Sequence, residues 1–340
     1  MSTVASLSDI AAVGPGQRAI LRRPVTTDIN GASIDLVVHV VAGQTPGPTL
    51  LLAAGTHGDE WQTIPMMRAI IDTVASIEFA GRVVVIPVCS PPALENGTRA
   101  TQPDSEGPDL NRVFPGRLNW IPDQIARVIV EEVLPHADAM IDYHHGIWGH
   151  GIGFVMYGAD YSDPGVSSRC RTMALAYGHH LLWRRESVAS YPGSMITYAA
   201  QECAIPGIVV EIGVTGMGAA QAARAFDINV NGVVGVMGSL GMTDHPARRP
   251  AAQHIFGTHH RVTPRNGGLL VPVNEPDEFG RQVAEGELLG SVLSPYTLDT
   301  VEELRSPAAG MLTVFSSMRL VRPGAWSYAV GEIDETVRHE

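Results

Sequence analysis

The sequence predicts an α/β protein whose sheet carries helices on both faces, followed by a smaller all-β module. Three observations carry this expectation. Short apolar, β-branched runs alternate with helical segments as far as residue 240, the order expected of an α/β sheet. The runs at 49–55 and 82–88 are apolar along nearly their whole length, as strands covered on both faces are. Beyond a stretch at 243–253 containing Pro246 and Pro250, the pattern changes to short strands and turns punctuated by glycine.

In chain order, residues 34–41 and 49–55 read as strands, 60–76 as a helix and 82–88 as another strand. Residues 90–118, rich in Pro, Gly, Asn and Asp, read as loop. A helix is expected near 119–134, strands at 138–143 and 152–157, and helices near 165–178 and 194–204. A strand at 207–212 then leads into a small-residue helix at 217–240. The proline-containing stretch is a linker, which divides the chain into an α/β domain over 1–245 and a β-rich domain over 255–340. In the second, Gly267, Gly268, Gly280, Gly286, Gly290, Gly310 and Gly324 punctuate runs such as Leu269-Leu270-Val271-Pro272-Val273. There is no internal repeat or low-complexity tract.

Composition removes whole classes of chemistry. The chain has 340 residues, 45% of them hydrophobic and 17% charged, enough for about two cored domains. All 23 basic residues are arginine. Without lysine there is no Schiff-base or pyridoxal-phosphate chemistry, no P-loop and no protein-kinase site. Net charge is −12, divided −7 and −5 on either side of residue 250, so neither part is a basic nucleic-acid module. Cys89, Cys170 and Cys203 lack metal or redox spacing and read as buried thiols in a reducing compartment. No signal peptide is evident and no apolar stretch reaches 18 residues. A soluble cytoplasmic protein without membrane or nucleic-acid partners is expected.

Four short constellations can carry chemistry. In Gly55-Thr56-His57-Gly58-Asp59-Glu60-Trp61, at the end of an apolar strand, His57 and Glu60 offer an imidazole and a carboxylate to a metal. The same residues also fit an acidic helix N-terminus. In Ile141-Asp142-Tyr143-His144-His145-Gly146, alternation puts Asp142 and His144 on one strand face and turns His145 away. Asp142 can then orient an imidazole; a polar strand end with satisfied histidines is the plainer alternative. Glu211 closes the apolar run from Ile208, where burial would raise its pKa towards the range of proton transfer. A carboxylate exposed there or paired with arginine would need no such role. The loop holding Arg99, Asp109, Asn111 and Arg112 offers guanidinium forks for a carboxylate or an oxyanion, although loop arginines are commonly just solvated. Together the four supply the parts of a one-metal amide hydrolase.

In this order, GTHGDEW, DLNRVFPG, DYHHG and VVEIG resemble the succinylglutamate desuccinylase/aspartoacylase family, within the wider zinc carboxypeptidase fold. The resemblance covers about residues 48–216 and continues into the C-terminal module, whose turns are similar to a barrel-sandwich, lipoyl- or biotinyl-like domain. It implies a mixed central sheet of the zinc carboxypeptidase kind. It also implies one Zn²⁺ per chain held by His57, Glu60 and His144, Glu211 as general base, and Arg99 polarising the scissile carbonyl. Asn111 and Arg112 would hold the substrate carboxylate, and Asp142 would support a histidine ligand. The implied activity is deacylation of a small N-acyl amino acid, with a homo-oligomer expected. Metallocarboxypeptidase action on short peptides is the alternative enzyme, and a zinc-binding interaction module the non-enzyme. Tyr143 stands where the family has an aliphatic residue, and His145 adjoins the ligand histidine. The C-terminal module, without lysine, cannot be a conventional modified carrier. Specificity is expected from loops around 147–160 and 184–198, and Arg184 and Arg185 are candidates for a second carboxylate.

Overall fold

Apolar runs become strands here because their side chains find cover on both faces of one sheet. The computed structural model describes residues 7–101, 108–146, 150–186, 191–214, 218–273 and 280–339. The first half of the sheet contains β1 (Arg18–Thr27), β2 (Ser33–Ala42), β3 (Thr45–Ala53) and β4 (Ala80–Ile86). It continues with β5 (Ala139–Gly146), β6 (His150–Gly158), β7 (Leu181–Arg185) and β8 (Gly207–Val214). These strands lie in the order β1-β2-β4-β3-β5-β8-β6-β7. β4, β3, β5 and β8 are parallel neighbours, while β1–β2, β2–β4 and β8–β6 pair antiparallel, so the sheet is mixed.

Alternation sends Leu50, Leu52 and Ile141 to one face and Leu51, Ala53 and Met140 to the other. The first face is covered by α1 (Thr63–Val74), α4 (Pro164–Tyr177) and α6 (Ala219–Ser239). The second lies under α3 (Ile121–Val128) and α5 (Met195–Glu202). The segment 90–118, expected as loop, contains the short helix α2 (Pro91–Asn96) and a 3-10 turn at Leu110–Arg112. The helix expected over 119–134 stays α-helical only to Val128, then widens and tightens again ahead of β5. β7 was not expected: it has five residues and ends in two arginines, so its own pattern carries little signal.

The later strands are β9 (Ala252–Val262), β10 (Gly268–Pro272), β11 (Gln282–Val283), β12 (Leu288–Leu293), β13 (Thr300–Arg305), β14 (Gly310–Ser316), β15 (Arg319–Val321) and β16 (Tyr328–Arg338). β13-β12-β10-β15 form a separate antiparallel sheet. The others extend the central sheet, because β9 pairs with β7, then β16 with β9 and β14 with β16. β14 also pairs back onto β6, closing a ring of strands. Phe154 and Leu181 from the first half therefore share a core with Phe256, Met311, Val314 and Ala329.

One expectation is corrected. Cys89 and Cys170 are buried, but Cys203 is exposed because it caps the C-terminal end of α5 at a surface turn. Among the described residues no helix is long and apolar enough to cross a membrane.

Candidate metal centre

β3 ends at Ala53, and the turn that follows bends at Gly55, whose φ of +61° suits glycine. A backbone bond from Glu60 N–H to His57 O (3.3 Å) coils the HxxE segment into one turn. His57 Nδ1 then lies 2.8 Å from Glu60 Oε1. β5 neighbours β3 in the sheet and brings His144 alongside, with Nδ1 2.8 Å from Glu60 Oε2 and 3.2 Å from His57 Nδ1. The donor atoms of His57, Glu60 and His144 all lie within 4.8 Å of one another, and all three residues are buried.

The far ring nitrogens face acids. His57 Nε2 is 3.2 Å from Asp109 Oδ1, and His144 Nε2 is 3.2 Å from Asp142 Oδ2. A carboxylate at Nε2 favours the proton there, which leaves the Nδ1 lone pairs of both rings turned toward Glu60. Two lone pairs and a carboxylate converging at this distance repel one another unless a cation sits among them. Without one, protons serve: burial pulls both imidazoles down, but Glu60 and Asp109 at His57, and Asp142 and Glu60 at His144, hold both above the ordinary histidine value. The donor set therefore fits a metal ion. His145 is turned out of the group, its Nδ1 bonded to Gly146 O at 2.6 Å.

Glu211 stands opposite His144 in the β5–β8 register and lines the same cleft, whose volume is about 370 Å³. Burial pushes its carboxyl up to about 7, against the pull of His144 and with a further push from Glu60. Arg99 reaches in from the loop after α2, with Nη1 3.8 Å from Glu60 Oε1 and Nε donating to Asp109 Oδ2 at 3.1 Å. Asn111 accepts Met195 N–H on Oδ1 (2.9 Å) and sits beside the His144 ring, its Nδ2 3.4 Å from Nε2. Arg112 Nη1 donates to Asn111 O at 2.6 Å and its guanidinium lies 5.0 Å from the Tyr191 ring centre. The eight residues to which the family resemblance assigns a role, Asp142 among them, thus cluster at the C-terminal edge of β3, β5 and β8 and the adjoining loops.

The model of the succinylglutamate desuccinylase/aspartoacylase catalytic domain matches residues 46–234. The chain belongs to the succinylglutamate desuccinylase/aspartoacylase family. An N-alpha-acetyl-L-2,4-diaminobutyric acid deacetylase from Halomonas elongata is 28% identical over 180 residues, which cover 52% of this chain and 51% of the relative. The chain thus spans about half the length of that curated relative. An aspartoacylase family protein from Mesorhizobium loti shares the fold with a TM-score of 0.79 at 19% identity, over 95% of this chain and 96% of the other. The product-bound ectoine utilization protein of Ruegeria pomeroyi superposes with a TM-score of 0.78 at 23% identity, covering 93% and 95% of the two chains.

This aspartoacylase-family cleft also contains residues that motif reading missed. Asp109 lies in the same loop as Arg99, Asn111 and Arg112, and nothing local in the sequence links it to His57. Trp183 and Trp326 line the cleft from β7 and from the β15–β16 connection. Of the two candidate arginines, Arg185 enters the cleft and stacks on Tyr191, whereas Arg184 pairs with Glu186 and Asp334 outside it. Of the loops expected to set specificity, residues 147–149 and 187–190 lie outside the described residues, and 150–158 is strand β6.

Proposed function

We propose that the chain is a Zn²⁺-dependent amidohydrolase that removes the acyl group from a small N-acyl amino acid. The observation that carries this reading is the buried His57–Glu60–His144 group in one cleft with Glu211. Two imidazole nitrogens and a carboxylate are the donor set of a catalytic zinc site with an open position. The deacetylase relative cleaves an acyl group from an amino acid by its name, which supports the same bond type. Bound Zn²⁺ supplies Lewis acidity for the acyl carbonyl and makes water a better nucleophile at neutral pH.

The chain's own residues supply the rest. Glu211 Oε takes the proton of the attacking water as its oxygen bonds to the acyl carbon. The same carboxyl then returns the proton to the amide nitrogen as the C–N bond breaks, giving a carboxylic acid and an amine; the acid's proton passes to the amine, and the products leave as carboxylate and ammonium. Arg99 sits at the cleft mouth, where its guanidinium can stabilise charge growing on the carbonyl oxygen. Asn111 and Arg112 hold the substrate carboxylate. Asp109 and Asp142 keep the imidazoles of His57 and His144 turned the productive way.

Glu211→Gln tests the assignment. The variant should retain stoichiometric zinc by elemental analysis and lose about 10²–10⁴-fold in kcat; near-wild-type turnover on N-acetyl, N-succinyl and N-formyl amino acids would sink it. Faster cleavage of dipeptides than of N-acyl amino acids would favour the metallocarboxypeptidase reading instead.

A further inference from the structure

The floor of the cleft bears on which amino acid the protein takes, an inference that rests on the deacylase reading above. Cross-strand register sorts this floor into rows. His144, Glu211 and Phe154 stand opposite one another on β5, β8 and β6. One pleat further on, Val209, Met156 and Trp183 do the same across β8, β6 and β7. Residues two apart on a strand share a face, so the second row continues the first. Ile196 from α5 and Trp326 complete this part of the lining.

These surfaces offer carbon and no spare donors. The indole N–H of Trp183 is spent on Gly257 O at 3.2 Å, and that of Trp326 on Tyr328 O at 3.1 Å. Phe154 stands edge-on to Trp183 with ring centres 5.5 Å apart. Arg112 borders the apolar floor through Tyr191, whose ring it shares with Arg185, 5.0 and 3.6 Å from the centroid. Arg185 is only 7% exposed, and its guanidinium lies against that ring with the charge of Asp160 nearby. Its place braces Tyr191.

A substrate carboxylate on Arg112 and a scissile amide at the metal centre leave the amino-acid Cα between them. The side chain branching from that carbon meets the row of Val209, Met156 and Trp183. A charged side chain there would lose its water and gain no partner from that row. We propose that the cleft selects N-acyl amino acids with an apolar side chain, aliphatic or aromatic, packed on Val209, Met156, Ile196 and Trp183.

The zinc-loaded 340-residue chain should hydrolyse N-acetyl-leucine, -methionine and -phenylalanine with kcat/KM about 10–200-fold above N-acetyl-aspartate and -glutamate. Calorimetry with the free amino acids gives a readout independent of turnover, and leucine should bind more tightly than aspartate. Met156→Arg should narrow or reverse both differences. Equal kcat/KM across the panel overturns the proposal; tighter binding of aspartate overturns it and assigns Arg185 a second carboxylate. No turnover on any substrate while leucine still binds overturns the deacylase reading and leaves the selectivity of the floor standing.

Discussion

One carboxylate, Asp109, ties three parts of the site together. Its Oδ1 lies 3.2 Å from His57 Nε2 and accepts Asn111 N–H at 2.8 Å, while Oδ2 accepts from Arg99 Nε at 3.1 Å. Burial would push this acid up, but the bond and charge of His57, with the charge of Arg99, hold it well below the usual carboxylate range. It therefore stays ionised and keeps a proton on the far side of the His57 ring, with Nδ1 directed at Glu60 and His144. Asp109→Ala should weaken zinc binding about 10–100-fold, read by competition with a chromophoric chelator. Unchanged affinity would mean that other contacts orient His57. Two pairs of the candidate metal-binding group are legible in sequence because each is local; their convergence is not, since His144 lies 87 positions from His57. His57 and Glu60 share one turn, and Asp142 and His144 share one strand face. The pairing of Asp109 with His57 bridges 52 positions, and only the folded loop brings it about.

At the level of elements, the turn carrying His57 and Glu60 packs against α2 at a distance that only glycine permits. A Cβ on Gly58 would stand 1.8 Å from Ala93 O, and Gly58 N–H donates to Thr98 O at 2.9 Å. Gly58→Ala must push the turn off α2, at a cost of about 1–3 kcal/mol or more. Thermal unfolding with and without zinc should show a lower Tm and a smaller zinc-induced rise; a wild-type pair of values would contradict this packing. A second element-level device lies between α4 and β7. There His179 is buried, and its Nδ1 accepts Leu181 N–H at 3.1 Å. Burial, helped by the charge of His180, pushes His179 down to about 3. An unfolded histidine titrates near 6.5, so below that pH the unfolded chain takes up a proton that the folded state refuses. Stability is unaffected by this group above about pH 6.5 and falls as pH drops toward 3, at up to about 1.4 kcal/mol per pH unit. Denaturant titrations over that window should show a shallower slope for His179→Gln than for wild type, and identical slopes would remove His179 as a cause. The long apolar strands were legible because burial on both faces leaves its mark on every residue. β7 was not, since its place depends on β6 and β9 rather than on its own five residues.

At the level of the whole molecule, the change of pattern near 243–255 predicts a domain boundary, while in space one sheet runs across it, β9 pairing with β7. Glycine spacing is local and so legible; the choice of strand partner is not, and the docking of β9 onto β7 left no trace in either segment alone. The ring of β6, β7, β9, β16 and β14 has consequences for both halves. It covers the edge of β7, buries Phe154 and Leu181 against Phe256, Met311, Val314 and Ala329, and carries Trp326 into the cleft. A chain ended at Pro250 would lose all three. β7 would become an open edge with unpaired N–H and C=O groups, a template for aggregation, and the wall of the cleft beside Glu211 would open to water. The truncated chain should be insoluble, or soluble with zinc affinity and turnover both impaired. The intact protein should melt in a single calorimetric transition with matching calorimetric and van't Hoff enthalpies, because a shared core couples the halves. Two separate transitions, or a monomeric truncation that binds zinc like the full chain, would mean that the first 250 residues hold their fold without the ring.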